Sequence, residues 1–325
     1  MMIDEYDRFD QIFTTCVSAV GVIANALLLV AIKTGSAASF RTYSTILLNS
    51  AAVDLAASAA AALCVTRLFS SPTTATTYLI FNGLCTYAGR LPCWISHVTE
   101  NQMWMTSNYF LCFAFAFRLS SVRKRSLQSK SVVVVSICVH LVSVAVGLGL
   151  FSLLQESDCA TRPVAQAEGC HFVSATIQFR SVWSIVDAAL IISSSPIVFT
   201  ATFVLRHFTV RTLSASQNEM SPATLAMQRM LFRTLNFQLA LTTLMGLGCG
   251  IFMAHLLGIA NHPLVEVLPC AIVNLLPALA PVLNFLCIRQ YRLFVISLFG
   301  FGNIPARCAV IDVEPSPSIR LESAP

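Results

Sequence analysis

The sequence predicts an all-α membrane protein, a bundle of seven transmembrane helices with the N-terminus outside and the C-terminus inside. Three observations carry this: six long apolar segments almost free of charge, one polar segment long enough to cross, and Lys and Arg residues concentrated in alternate loops. At 1.5 Å per residue, about 20 residues span a hydrocarbon core about 30 Å thick. The chain is 56% hydrophobic and 11% charged, against about 25% charged in soluble domains, too little to cover a water-facing surface. No hydrophilic stretch has room for an extramembrane catalytic domain. Residues 1–300 therefore read as one membrane domain, and 301–325, rich in Pro, Ser and Glu, as a disordered cytoplasmic tail.

The apolar segments run over 12–32, 44–65, 132–154, 181–205, 231–257 and 264–288. Before the first, Asp4, Glu5, Asp7 and Asp10 stand without a basic cluster. That is a poor match to a cleaved signal peptide, so the segment is expected to be a permanent span. Asn25 and Asp54 lie midway along the first and second spans. At membrane depth such groups face the bundle interior, as helix-packing partners of each other or as an ion site.

The third span, 92–117, is the polar one. His97, Glu100, Asn101, Trp104 and Asn108 recur at three- and four-residue intervals and so share one helical face. That face cannot look at lipid; it lines a wet cavity or packs against polar partners. Counting this segment as a span puts 15 of the 20 Lys and Arg residues on one side, among them Arg118, Arg123, Lys124, Arg125, Arg229 and Arg233. By the positive-inside rule that side is cytoplasmic.

In the fifth span Trp183 and Asp187 are one turn apart and join the third-span face in an outward-opening pocket for a small molecule. His262 and Glu266, at the start of the seventh, read as solvated interfacial residues. Pro196, Pro277 and Pro281 each predict a kink. Beyond the last span, Arg289–Phe299 is basic and aromatic, as suits a short helix lying in the inner interface.

Seven of the twelve cysteines fall within spans and read as small buried hydrophobes. Cys85, Cys93, Cys159 and Cys170 fall in loops assigned to the oxidising side. Of their three full pairings the preferred one joins Cys85 to Cys170 and folds the second external loop over the pocket mouth.

No paired catalytic acids, Ser-His arrangement or H-E-x-x-H motif is present, so neither an enzyme nor a bound metal or cofactor is expected. An odd number of spans without half-to-half similarity speaks against a transporter. Nothing points to nucleic acid; the partners implied are a small ligand, the bilayer and a cytoplasmic protein.

Several short motifs together resemble a family. Gly21-Val22-Ile23-Ala24-Asn25, Leu47-Leu48-Asn49 with Asp54, Met227-Gln228-Arg229-Met230-Leu231-Phe232-Arg233 with Gln238, and Pro277-Ala278-Leu279-Ala280-Pro281 followed by Ile288-Arg289-Gln290-Tyr291-Arg292 are similar to G-protein-coupled receptors. More closely, they resemble the nematode serpentine chemoreceptors of the Str superfamily, class d. The resemblance implies a plasma-membrane receptor, in a sensory-neuron cilium, that binds an external chemical and signals to a heterotrimeric G protein. The ligand would meet His97, Glu100, Asn101, Trp104, Asn108, Trp183 and Asp187; the G protein would face Arg118, Arg123, Lys124, Arg125, Arg229 and Arg233. One departure matters: rhodopsin-like receptors end helix three with an acid, Arg and Tyr, whereas this chain has Phe117-Arg118-Leu119, so any lock on Arg118 must differ. The competing reading is a seven-span ligand-gated channel of opposite orientation, and after it a small-molecule transporter.

Overall fold

The computed structural model describes residues 2–35, 41–71, 76–123, 129–156, 173–178, 182–217, 220–256, 259, 262–298 and 300; over 182–195 it describes the helical backbone alone. Seven long helices form the bundle: α1 (Met2–Gly35), α2 (Arg41–Cys64), α3 (Arg90–Val122), α4 (Ser129–Leu153), α5 (Val182–Ala215), α6 (Pro222–Leu256) and α7 (Pro263–Cys287). A short α8 (Arg289–Leu298) follows. The stretches Arg8–Thr34, Thr42–Cys64, Lys130–Leu153, Thr224–His255 and Leu264–Cys287 are long and apolar enough to cross a membrane. Outward-facing Ile12, Val20 and Ile23 on α1, and Val134, Ile137, Leu141 and Leu148 on α4, are exposed. Apolar surface on that scale needs lipid against it.

The helices are joined at one end by a four-stranded antiparallel sheet that the all-α expectation did not include. Its strands are β1 (Thr66–Ser71), β2 (Thr76–Phe81), β3 (Leu154–Glu156) and β4 (Val173–Gln178), in the order β1-β2-β4-β3. Thr, Tyr, Leu, Ile and Phe give β2 high strand propensity. Alternation does the rest: Leu79 and Phe81 are fully buried while Tyr78 and Ile80, the residues before each, are half-buried. Pairing Leu79 with Ala175 and Arg67 with Ile80 ties the α2–α3 connection to the α4–α5 connection.

Under the sheet Leu79, Phe81, Cys85, Cys93, Val98 and Leu154 form one apolar cluster. Each large side chain buried there contributes about 1.5–3 kcal/mol. A second cluster, around Ile46, Val53, Phe110, Phe115 and Leu235, fills the bundle. A third closes the opposite end, where Tyr291 of α8 packs with Leu28, Ala31, Ile32 and Tyr43. The bundle thus has a sheet end and an α8 end.

The cysteine pairing needs correction. Cys85 is bonded to Cys93, its Cα 5.0 Å away and only 8 residues on in sequence. A 3-10 turn (Leu84–Ala88) and Gly89 at φ 100° reverse the chain, so that Cys93 on the first turn of α3 comes back under Cys85. Cys170, its expected partner, and Cys159 lie outside the described residues, as does the tail 301–325.

Candidate functional site

The polar face of α3 turns inward. His97, Glu100, Trp104 and Asn108 are buried and Asn101 is half-buried. Of the two α5 residues assigned to the same pocket, Trp183 and Asp187, the side chains lie outside the described residues.

At the sheet end, the last residue of α2 and the first strand meet this face. The Cys64 thiol donates to Glu100 Oε2 at 2.9 Å, and Thr66 Oγ1 lies 3.2 Å from His97 Nδ1. The amide of Asn101 donates to the His97 carbonyl at 2.9 Å and stands 3.2 Å from His97 Nε2. Asn274 of α7 also bonds Glu100, and the Asp10 carboxylate lies close to it. The potential metal-ligating atoms of Cys64, His97 and Glu100 all fall within 4.8 Å of one another. Beside this cluster Arg67 donates from Nε to Glu266 Oε2 at 3.0 Å and pairs through Nη2 as well. Glu266 is thus buried rather than solvated, whereas His262 is exposed and caps α7 by accepting from the Leu264 amide.

One to two turns deeper, Trp104 packs against Ala57, Met245, Val273 and Leu276, so it touches α2, α6 and α7 together. Its indole N–H has no hydrogen-bond partner, nor do Asn108 Oδ1 and Asn274 Oδ1, although all three are buried. The other end of the Asn108 amide contacts Met245 Sδ at 3.5 Å. Buried polar atoms left this way cost about 1–3 kcal/mol each.

Asn25 and Asp54 do not bond each other. Asp54 Oδ1 accepts from Ser107 Oγ at 2.8 Å, linking α2 to α3. Asn25 Nδ2 donates to the carbonyls of Gly21 at 2.9 Å and Pro277 at 2.8 Å, linking α1 to α7. The second bond has a cause in sequence. Pro281 has no N–H to offer the carbonyl four residues before it, which is that of Pro277, and Asn25 supplies the missing donor. The approach is close: a Cβ on Gly21 would collide with the Ser58 side chain and lie 3.3 Å from Ala278 Cα.

A narrow cavity, with room for little more than a water molecule, extends from Asp54 and Ser107 past Phe110, Gln238 and Thr242 to Tyr43. It lies on the α8 side of the expected ligand face, and His97, Glu100, Asn101, Trp104 and Asn108 are not among its walls. At its far end the Arg118 guanidinium carbon sits 4.0 Å from the centre of the Tyr43 ring, and Arg118 Nη1 donates to Gln228 Oε1 at 3.3 Å. Arg123, Arg229 and Arg233 are exposed at the same end, while Lys124 and Arg125 lie outside the described residues.

Sequence reasoning missed Cys64, Thr66, Arg67 and Asn274. Cys64 looked like a small apolar residue and Arg67 like a loop charge, and only the return of β1 across the helix ends gives them partners. For Asn274, on the same α7 stripe as Pro277 and Pro281 at intervals of three and four, the periodicity was a usable signal.

Compared with known proteins, the chain matches the family model described as "Serpentine type 7TM GPCR chemoreceptor Srd" over residues 11–297. It is 23% identical over 297 residues to "Serpentine receptor class delta-19" of Caenorhabditis elegans, covering 87% of this chain and 86% of that one. It is 24% identical over 298 residues to "Serpentine receptor class delta-1" of the same organism, covering 88% and 80% respectively. Among solved structures, that of squid rhodopsin superposes with a TM-score of 0.66 at 13% identity, covering 92% of this chain and 86% of that chain. The last likeness concerns the fold alone.

Proposed function

The chain belongs to the Srd family of serpentine seven-transmembrane chemoreceptors, and on that premise we propose that it binds a small external chemical between its helices and signals to a heterotrimeric G protein. The carrying observation is the set of buried, unpartnered polar atoms on Trp104, Asn108 and Asn274, enclosed by α2, α3, α6 and α7. A ligand that bonds them in one arrangement of the helices and less well in another shifts the population between the two.

The sheet end then faces outside and the α8 end the cytoplasm, as the loop charges suggest. His97, Glu100, Asn101, Trp104, Asn108, Trp183 and Asp187 are assigned to the ligand. Arg118 with Arg123, Lys124, Arg125, Arg229 and Arg233 is assigned to the G-protein face, where the exposed basic residues also meet anionic lipid. Because Trp104 touches α6 and α7, a ligand moving it also moves the two helices that hold Gln228 and Pro277. Movement of α6 away from α3 breaks the Gln228 contact and bares Arg118. The protein works in the plasma membrane, and by its family in a sensory cilium.

Cells expressing the chain, exposed to a panel of volatile and water-soluble compounds and read by a G-protein reporter, test this. At least one compound is expected to give a saturable response that is absent from mock-transfected cells. Terminal tags probed in unpermeabilised cells test the orientation; an N-terminal tag accessible only after permeabilisation would overturn it and favour a channel.

A further inference from the structure

We propose that Cys64, His97 and Glu100 form a binding site for a zinc ion at the sheet end of the bundle. The three supply a thiol sulphur, an imidazole nitrogen and a carboxylate oxygen, the three ligand types that zinc takes in proteins. Their ligating atoms lie within 4.8 Å of one another and all three residues are buried. Tetrahedral zinc, with bonds of about 2.0–2.3 Å, holds its ligand atoms about 3.5 Å apart. Side-chain adjustment alone therefore brings the set to bonding geometry.

Charge favours the ion too. Glu100 is faced by the Cys64 thiol, the Asn274 amide and the carboxylate of Asp10. Zinc binding releases the thiol proton to solvent, and the dication, drawn by the Asp10 carboxylate as well, leaves its own ligand set of thiolate, carboxylate and neutral imidazole with zero net charge. That is the form a low-dielectric interior tolerates best.

The surroundings are built to hold these ligands still. Val65, between Cys64 and Thr66, sits at φ 34°, a left-handed conformation that a β-branched residue adopts only under constraint. It is pinned by the bonds Val65 N to Ala61 O at 3.1 Å and Asn82 N to Val65 O at 3.0 Å. Asn101 donates to the His97 carbonyl at 2.9 Å, and Asn274 bonds Glu100, as the outer groups of a metal site orient their ligands. The Thr66 hydroxyl, 3.2 Å from His97 Nδ1 and 3.5 Å from Cys64 Sγ, adjoins the set. Three protein ligands leave one coordination position for water or for a small donor molecule.

This inference is separate from the signalling reading, because metal binding is measured on the resting protein without agonist. The full chain, purified in lipid nanodiscs and stripped with a chelator, is titrated with zinc, and then with cobalt to reveal a thiolate-to-metal charge-transfer band. One zinc per chain, the cobalt band, and a melting temperature raised by zinc and lowered by chelator are expected. Cys64→Ser should abolish the band, His97→Ala and Glu100→Gln should weaken zinc binding at least about tenfold, and Cys138→Ser, on the exposed face of α4, should change neither. If the variants fail to fold, the wild-type titration still decides: absence of stoichiometric binding or of any thermal shift overturns the site. So does a cobalt band that survives in Cys64→Ser.

Discussion

Arg118 sits over the Tyr43 ring, its guanidinium carbon 4.0 Å from the ring centre, and reaches across to Gln228 of α6 at 3.3 Å. The helix-three arginine has no acidic neighbour in Phe117-Arg118-Leu119, and an aromatic ring on α2 with a neutral amide on α6 stands in for one. A ring face and an amide stabilise a guanidinium less than a carboxylate does, each by about 1 kcal/mol. On the proposed signalling reading, this contact between α3 and α6 should therefore break at small cost.

Gln228→Leu removes the bond to α6 while keeping a side chain of similar length. At about 1 kcal/mol, ligand-independent signalling should rise about fivefold. Tyr43→Ala should do the same, and Tyr43→Phe, which keeps the ring but loses the hydroxyl that bonds Arg118, should raise it less. A basal reporter signal normalised to surface expression checks this; unchanged signalling in both Gln228→Leu and Tyr43→Ala means the contact holds no equilibrium.

Arg67 and Glu266 join β1 to α7 with side chains only 8% and 10% exposed. Glu266→Ala leaves a buried guanidinium without its carboxylate, and removal of one member of such a pair costs about 3–5 kcal/mol. A clear fall in melting temperature and in surface expression is expected. The double variant Arg67→Met, Glu266→Leu should recover much of the loss, because the penalty comes from the stranded charge. Failure of the double variant to exceed the single one would show that the pair is needed for more than its own neutralisation.

Asn25→Leu strands the Pro277 carbonyl that Pro281 has released. The expected cost is about 1–3 kcal/mol, seen as a lower melting temperature. The additional change Pro281→Ala returns a helical N–H to that carbonyl and should restore part of the loss. No recovery would mean that Asn25 matters through its other bond, to the Gly21 carbonyl, instead.

Cys85 and Cys93 close a short loop, for which chain entropy predicts about 2.5 kcal/mol. Peptide mapping under non-reducing conditions should recover them as one linked species. Cys170→Ser should leave that species unchanged, and Cys93→Ser should abolish it. Recovery of a Cys85–Cys170 peptide instead would restore the pairing that loop placement alone favoured.

The helices were legible because lipid imposes a length and a polarity that a single sequence carries in full. Even α3, too polar for hydropathy, was recovered from the charges in the loops it separates. The sheet was not legible. Thr66–Ser71 and Thr76–Phe81 are short, lie between spans, and depend on Val173–Gln178 about a hundred residues away. Partners were harder still. Asp54 and Asn25 were readable as interior groups, but Ser107 and the Pro277 carbonyl became their partners only through the register at which helices pack. The same holds for the buried state of Glu266, which follows from where β1 carries Arg67.

Trp104 offers the sharpest test of the ligand face. Its indole N–H is buried without a partner while its ring packs against α2, α6 and α7. Trp104→Phe deletes the donor and keeps most of the packing, so surface expression should stay near wild type. If a ligand accepts from that N–H, its half-maximal concentration should rise about tenfold, for a hydrogen bond of about 1.4 kcal/mol. Asn108→Ala should raise it as well, and Glu100→Gln and Asn101→Ala should alter the response without removing protein from the surface. Trp104→Leu, which removes the aromatic bridge to α6, should instead lower the maximal signal more than the affinity. Parallel loss of signal and of surface protein in all these variants would make the α3 face a structural seam and move the ligand toward the cavity between Asp54 and Tyr43.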